Sequence, residues 1–198
     1  VMRWLYMSSR PDDNILFGWH AADEARRRLL VLWNVYKFLV DYAAPAGWTP
    51  GAADPPVAER MPMDRWILSR TAAVAADVEA ALRDYDAMAA TRQLDAWIED
   101  LSTWYVRLSR KRFSRGSGAD RASAFATLHA ALVAVARVAA PILPFVSEEI
   151  YRNLVAGGDP DAPHSVHLTR CPTGELAPFR DERLEAAMDI ARRAVDLA

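Results

Sequence analysis

Apolar side chains recur at intervals of three and four over long stretches of this chain, and proline and glycine cluster in the stretches between. Leu29, Leu32, Trp33, Tyr36, Leu39 and Val40 share one stripe, which predicts an amphipathic helix from about Ala22 to Ala43. Asp23 and Glu24 occupy its first turn, where the helix dipole favours acids. Pro45 ends it, and Pro50, Gly51, Pro55 and Pro56 predict a surface linker as far as Pro62. Ile67, Thr71, Val74, Val78, Leu82 and Tyr85 form the next stripe, a helix with Asp64 as its cap that ends near Asp86. Leu94, Trp97, Ile98, Leu101, Tyr105 and Leu108 predict a long helix over residues 88–113, broken by Gly116 and Gly118. Behind Asp120 as a cap, residues 121–139 carry alanine, valine and leucine on most faces, so this helix is expected to be the most buried. Pro141 stops it, and Pro144 opens a short helix through Leu154, where a missing N–H costs nothing.

The remaining segments are less periodic. Residues 1–20 mix aromatics with Pro11, Asp12, Asp13, Asn14 and Gly18 and read as an irregular entry segment. Residues 156–180, with Gly157, Gly158 and four prolines, read as a loop in which Ser165-Val166-His167-Leu168 is the only strand-like piece. A last helix, Asp181 to Leu197, keeps Leu184, Met188, Ala191 and Val195 in step. The expected fold is all-α, an antiparallel bundle of four long helices plus a short helix, with Trp33, Trp97, Leu101, Leu132 and Val135 in its interior. No internal repeat is visible.

Composition narrows the class. A chain of 198 residues can bury one sizeable core. Its 52% hydrophobic and 25% charged content, without an apolar run near the ~20 residues needed to cross a bilayer, predicts a globular protein with no membrane partner. The opening Val1-Met2-Arg3-Trp4 is not of signal-peptide type and reads as an internal cut. Cys171, the single cysteine, excludes an internal disulfide and a zinc site on paired cysteines, and it suits a reducing, cytoplasmic setting. A net charge of -2 argues against a uniformly basic nucleic-acid binder, so any basic footprint is local. The preference for arginine over lysine, and the abundance of alanine, fit a GC-rich coding sequence without any functional cause.

Most candidate chemistry fails on spacing. His164 and His167 stand three apart in a loop without a third ligand, so no metal is predicted. Gly116-Ser117-Gly118 follows a helix, not a strand, and reads as a turn, not a phosphate loop. Glu148 and Glu149 complement a helix N-terminus and have no partner base, so no catalytic residue is predicted. One constellation remains. From Trp104 to Arg121, six basic residues (Arg107, Arg110, Lys111, Arg112, Arg115 and Arg121) face a single acid, Asp120. Arg107, Lys111 and Arg115 repeat at four and repel one another by a few tenths of a kcal/mol per pair unless an anion relieves them. Trp104 and Tyr105 lie one turn upstream, and aromatics beside arginines can stack and neutralise unpaired nucleotides. The plain alternative is a solvated helix end with two core aromatics. Arg112 is in line with Tyr105 and Leu108 and is expected to be structural.

Several phrases resemble one family. Leu32-Trp33-Asn34-Val35-Tyr36-Lys37-Phe38 is similar to the opening of the anticodon-binding region of isoleucyl-tRNA synthetases. Met63-Asp64-Arg65-Trp66-Ile67-Leu68-Ser69-Arg70 resembles the next helix, in wording shared with valyl and leucyl relatives. Asp100-Leu101-Ser102-Thr103-Trp104-Tyr105-Val106-Arg107-Leu108-Ser109-Arg110-Lys111-Arg112-Phe113 resembles the isoleucyl enzymes specifically. Ala140-Pro141-Ile142-Leu143-Pro144-Phe145-Val146-Ser147-Glu148-Glu149-Ile150-Tyr151 is family-wide, and Ser165-Val166-His167-Leu168 matches another isoleucyl phrase. The chain departs from the family at Ser114, where tryptophan is frequent, and at Thr169-Arg170-Cys171-Pro172, which replaces an acidic-aromatic-proline ending.

The resemblance implies a tRNA-gripping module, with residues 1–20 a connection from a catalytic body and residues 21–198 the anticodon-binding bundle. The implied partners are tRNA(Ile) and the other domains of a parent chain, with the protein monomeric. Trp104, Tyr105, Arg107, Arg110, Lys111 and Arg115 are the expected tRNA-binding residues. The parent would use ATP and Mg, whereas this chain is expected to bind no cofactor, because neither ATP-site signature of class I enzymes, His-Ile-Gly-His or Lys-Met-Ser-Lys-Ser, occurs in it. A valyl-tRNA synthetase fragment, or a helical module that packs between domains without touching RNA, remains the alternative.

Overall fold

The computed structural model describes residues 1–10, 12, 14, 18–51 and 54–196. Among them it is all helical. A short helix α1 (Met2–Met7) precedes the long α2 (Trp19–Ala43), α3 (Pro62–Arg83) and α4 (Ala87–Glu99). The axis of α4 continues through a π-helical stretch, Asp100–Val106, into α5 (Arg107–Arg115). Then come α6 (Gly118–Ala139), α7 (Pro144–Tyr151), the one-turn α8 (Thr173–Leu176) and α9 (Glu182–Asp196). Short turns at 84–86 and 116–117 fold successive long helices back on one another, the antiparallel arrangement expected of such connections.

The core follows the stripes. Helix α3 lies at its centre, with Trp66, Ile67, Val74 and Val78 buried against α4 and α6. Leu94, Trp97 and Ile98 of α4 and Phe125, Leu128, Leu132 and Val135 of α6 complete it. Trp97 is wholly buried, and its indole N–H donates to Thr71 Oγ1 at 3.0 Å, so the polar edge of a large apolar side chain is satisfied. Phe113 joins Phe38 and Phe125 at ring-centroid distances of 5.1 and 5.6 Å, tying α5 to α2 and α6. Pro62 and Pro144 begin their helices, where the missing N–H has no intrahelical partner to lose. Asp86 caps α4 by accepting the Ala89 N–H at 2.8 Å, and Asp181 does the same for Leu184 at 3.0 Å ahead of α9.

Several expectations are corrected. Residues 2–7 are helical and not irregular: Trp4 is in the core and the Met7 carbonyl accepts from Thr91. Pro11 and Asp13 of that segment, and the expected end of the last helix at Leu197, lie outside the described residues. Asp64 does not cap α3, whose N-cap is Met61, and Asp120 lies in the first turn of α6 behind Ser117. Tyr85 leaves its stripe altogether. It is 92% exposed at φ +60°, in the left-handed conformation that stops α3. Trp33 is only partly buried, its ring 4.9 Å from Tyr36. Ser165–Leu168 is a 3₁₀ turn at Val166–Leu168, not a strand, and the segment around it carries α8 and a second 3₁₀ turn, Ala177–Phe179. Helix α6 is long and apolar enough to cross a bilayer by length and composition, contrary to expectation, but most of it is buried among its neighbours.

Described residues on either side of 52–53 in the linker before α3 are tied to the bundle or to one another. Trp48 packs on Phe125 and donates to Asp54 at 2.9 Å, while Arg60 donates to the Pro55 carbonyl at 2.8 Å and to Thr127 at 3.1 Å.

Candidate nucleic-acid interface

The basic segment is shaped by the π-helical stretch that precedes it. An α-helix brings a side chain back to the same face every 3.6 residues, and a π turn delays that return. The buried positions therefore step by four, through Leu101, Tyr105, Ser109 and Phe113. Leu108, expected inside, is 56% exposed. Ser102 and Thr103 contribute to this widening. The Thr103 hydroxyl donates to the Glu99 carbonyl at 2.6 Å, supplying a partner where the regular ladder is disturbed.

Downstream of the turn, Arg107, Arg110, Lys111 and Arg115 are all exposed, and none of the four forms an ion pair among the described residues. At a rise of about 1.5 Å per residue, Arg107 to Arg115 spans about 12 Å. The acids on neighbouring segments are engaged with other cations. Arg28 holds Glu99 at 2.9 Å, Arg70 and Arg192 hold Asp100 at 3.1 and 2.5 Å, and Arg112 holds Asp120 at 2.7 Å.

Arg112 is structural, as its register suggested, although Leu108 beside it is not. Its guanidinium grips the fully buried Asp64 through two bonds of 2.9 and 2.7 Å. Desolvation works against the charged guanidinium, but the hydrogen bonds and charge of Asp64 outweigh it and raise the Arg112 pKa. Arg121 is structural too, donating to the Phe113 carbonyl at 3.1 Å and lying 5.2 Å from the Phe125 ring centre.

Tyr105 cannot stack a base in this fold. It is completely buried, and its hydroxyl donates to Asp64 Oδ1 at 2.7 Å. Burial and the adjacent carboxylate raise its pKa well above the usual phenol value, so it remains a neutral donor. Asp64, Tyr105 and Arg112 thus form a buried triad joining α3 to the base of α5. Trp104 is different. Its indole is partly exposed, and the Arg192 guanidinium of α9 lies 5.1 Å from its ring centre. The patch therefore gathers Trp104, Arg107, Arg110, Lys111 and Arg115 on one helix and leaves Tyr105 beneath it.

Arg192 escaped the sequence reading because nothing in its own helix marks it. Asp64 resembles a cap in the sequence because a carboxylate two residues after a proline at a helix start has the same local appearance. The other carboxylates considered have structural uses: Glu148 accepts from Ser165 Oγ and the Val166 N–H, both at 2.9 Å, and anchors the loop. Gly116 sits where an added Cβ would collide with the Arg112 carbonyl, so this glycine allows a close helix end. No group of three His, Cys, Asp or Glu among the described residues is placed to hold a metal.

Comparison with known proteins places these features in context. The family model described as the anticodon-binding domain of tRNA ligase matches residues 64–198. An isoleucine–tRNA ligase of Deinococcus radiodurans is 43% identical over 198 residues, covering 99% of this chain and 18% of that protein. The isoleucine–tRNA ligase of Thermus thermophilus is 43% identical over 203 residues, covering all of this chain and 19% of its own length. That of Streptomyces avermitilis is 42% identical over 172 residues, which cover 87% of the chain and 16% of the relative. The chain thus spans less than a fifth of the length of the curated relatives it matches.

Proposed function

The chain belongs to the family of anticodon-binding domains of tRNA ligases, and from that premise we propose that it grips the anticodon stem and loop of tRNA(Ile) on the exposed face of α5. The observation that carries this reading is the set of four exposed cations, Arg107, Arg110, Lys111 and Arg115, without ion-pair partners among the described residues in a chain of net charge -2. Their span of about 12 Å is enough for two or three successive phosphates, whose counterions would be released on binding. Trp104, beside them and partly exposed, is the residue of the patch with an aromatic surface for an unpaired base.

In this reading the domain orients tRNA and catalyses nothing itself. Activation of isoleucine with ATP and Mg belongs to the parts of the relatives this chain does not span. The Gly116-Ser117-Gly118 turn joins two helices and does not fit a phosphate cradle. Residues 1–20 form the connection to the catalytic body and residues 21–198 the binding bundle of a monomeric, cytoplasmic isoleucine–tRNA ligase. The identities above favour isoleucine over valine as the cognate amino acid.

Lys111→Ala tests the assignment. Binding should weaken alike for cognate and non-cognate tRNA, and the plot of log affinity against log salt should flatten by about one unit. Discrimination between the tRNAs should narrow instead when Trp104 is replaced. An unchanged slope for Lys111→Ala would remove it from the interface.

A further inference from the structure

We infer that Leu108 is a nucleobase-contacting residue and that the π turn is the device that presents it, an inference that rests on the RNA-binding reading above. In a helix of regular α period, the stripe through Leu94, Trp97, Ile98, Leu101 and Tyr105 would take Leu108 into the core. The wide turn at Asp100–Val106 instead puts Ser109 there, 2% exposed, and sends Leu108 out at 56%. The same phase shift carries Phe113 into the core against Phe38 and Phe125, but at positions 108 and 109 the exchange is unfavourable to the free domain. It buries a hydroxyl-bearing side chain where a leucine would pack better, and it gives an apolar side chain to water. Single π turns inside α-helices are found frequently at functional sites, where a helix face has to be re-aimed.

The surroundings of Leu108 identify the ligand's chemistry. Arg107 and Lys111 flank it in sequence, both exposed and without ion-pair partners among the described residues. Trp104 lies four residues before it on the same helix axis, its indole held by Arg192, which Asp100 fixes in turn at 2.5 Å. An apolar ledge bordered by cations suits a ligand that combines a flat apolar face with an anionic backbone. An unpaired nucleotide has both features. A paired one does not offer them together, since duplex stacking hides the base faces and leaves only the phosphates to touch. Leu108 therefore distinguishes loop from stem, while Arg107, Lys111 and Arg115 hold either.

The test compares wild-type chain and Leu108→Ala on two RNA probes: a hairpin with an unpaired anticodon loop, and a blunt duplex of the same stem sequence. The variant should bind the hairpin about fivefold more weakly, the low end for losing one base contact, and the duplex within about twofold of wild type. Its salt slope should be unchanged, because no charge is removed. Its thermal midpoint should stay within about 2 °C, because the side chain is largely exposed. Leu108→Phe should keep or improve hairpin binding. Undiminished hairpin affinity in Leu108→Ala, or an equal loss on both probes, overturns the inference and leaves the cationic patch standing. Failure of the wild-type chain to bind either probe with a steep salt dependence overturns the RNA reading as well.

Discussion

Replacing Arg112 by alanine is expected to destabilise the fold far more than replacing any of the neighbouring exposed cations. Asp64 is fully buried, and in the native fold its carboxylate receives two guanidinium bonds and the Tyr105 hydroxyl. Alanine at 112 would leave that carboxylate with Tyr105 alone among these partners, in a site that water does not reach. Removing one member of a buried pair typically costs about 3 to 5 kcal/mol, because the desolvated charge that remains is uncompensated. At about 2 to 4 °C per kcal/mol for a chain of this size, the thermal midpoint should fall by roughly 10 °C. Urea unfolding at neutral pH gives the same quantity from the midpoint and slope. The double variant Asp64→Asn with Arg112→Met should recover much of the loss, since the penalty comes from the orphaned charge and not from a missing attraction. Lys111→Ala, one residue away but exposed, should change stability by no more than about 0.5 kcal/mol. A loss below about 1 kcal/mol for Arg112→Ala, or a double variant no better than the single, would refute the triad as described.

Two further outcomes concern the core and its titration. Trp97→Ala should cost about 3 to 5 kcal/mol in chemical unfolding, because the indole is fully buried and its loss opens a cavity while leaving Thr71 without its donor. His129 makes the fold acid-sensitive. Desolvation lowers its pKa from the ordinary 6.5, against weaker opposing effects of the Leu154 carbonyl and Asp54. The unfolded chain therefore takes up a proton near pH 6.5 that the folded chain refuses, and stability is lost as pH falls from there towards the depressed folded value. His129→Gln should flatten the fall in thermal midpoint between neutral and mildly acidic pH, and a midpoint curve parallel to wild type would show that His129 is not its source.

Periodicity revealed what depends on periodicity. The interior position of Trp97 follows from a stripe of regular α-helix, that of Leu101 from the same stripe where it enters the π-helical stretch, and those of Leu132 and Val135 from a helix apolar on most faces. The stripe containing Leu108 misled because a single π turn changes the phase of everything downstream, and its only visible sign is the Ser102-Thr103 pair, whose hydroxyls can replace ladder bonds. Tyr105 was legible as apolar surface but not as a donor to Asp64, a residue 41 positions away, because partners so distant are set by helix packing. Tyr85 continued its stripe on paper, yet the chain turns there in a conformation that residue identity alone does not announce. The cationic patch itself was readable because its members share one short helix. That Arg112 is unavailable was readable from its register, whereas the engagement of Arg121 by the Phe113 carbonyl, eight residues away across a turn, was not.

The most direct test of the central claim is the salt dependence of tRNA binding after Arg107, Lys111 and Arg115 are changed together to alanine. If this stripe meets the phosphates of the anticodon arm, affinity should fall and the slope of log affinity against log salt should flatten by about two to three units, with the helical content and thermal midpoint of the domain preserved. A triple variant that keeps both the affinity and the salt slope of the wild-type chain would mean that these residues form a solvated helix end and that tRNA is held on another face.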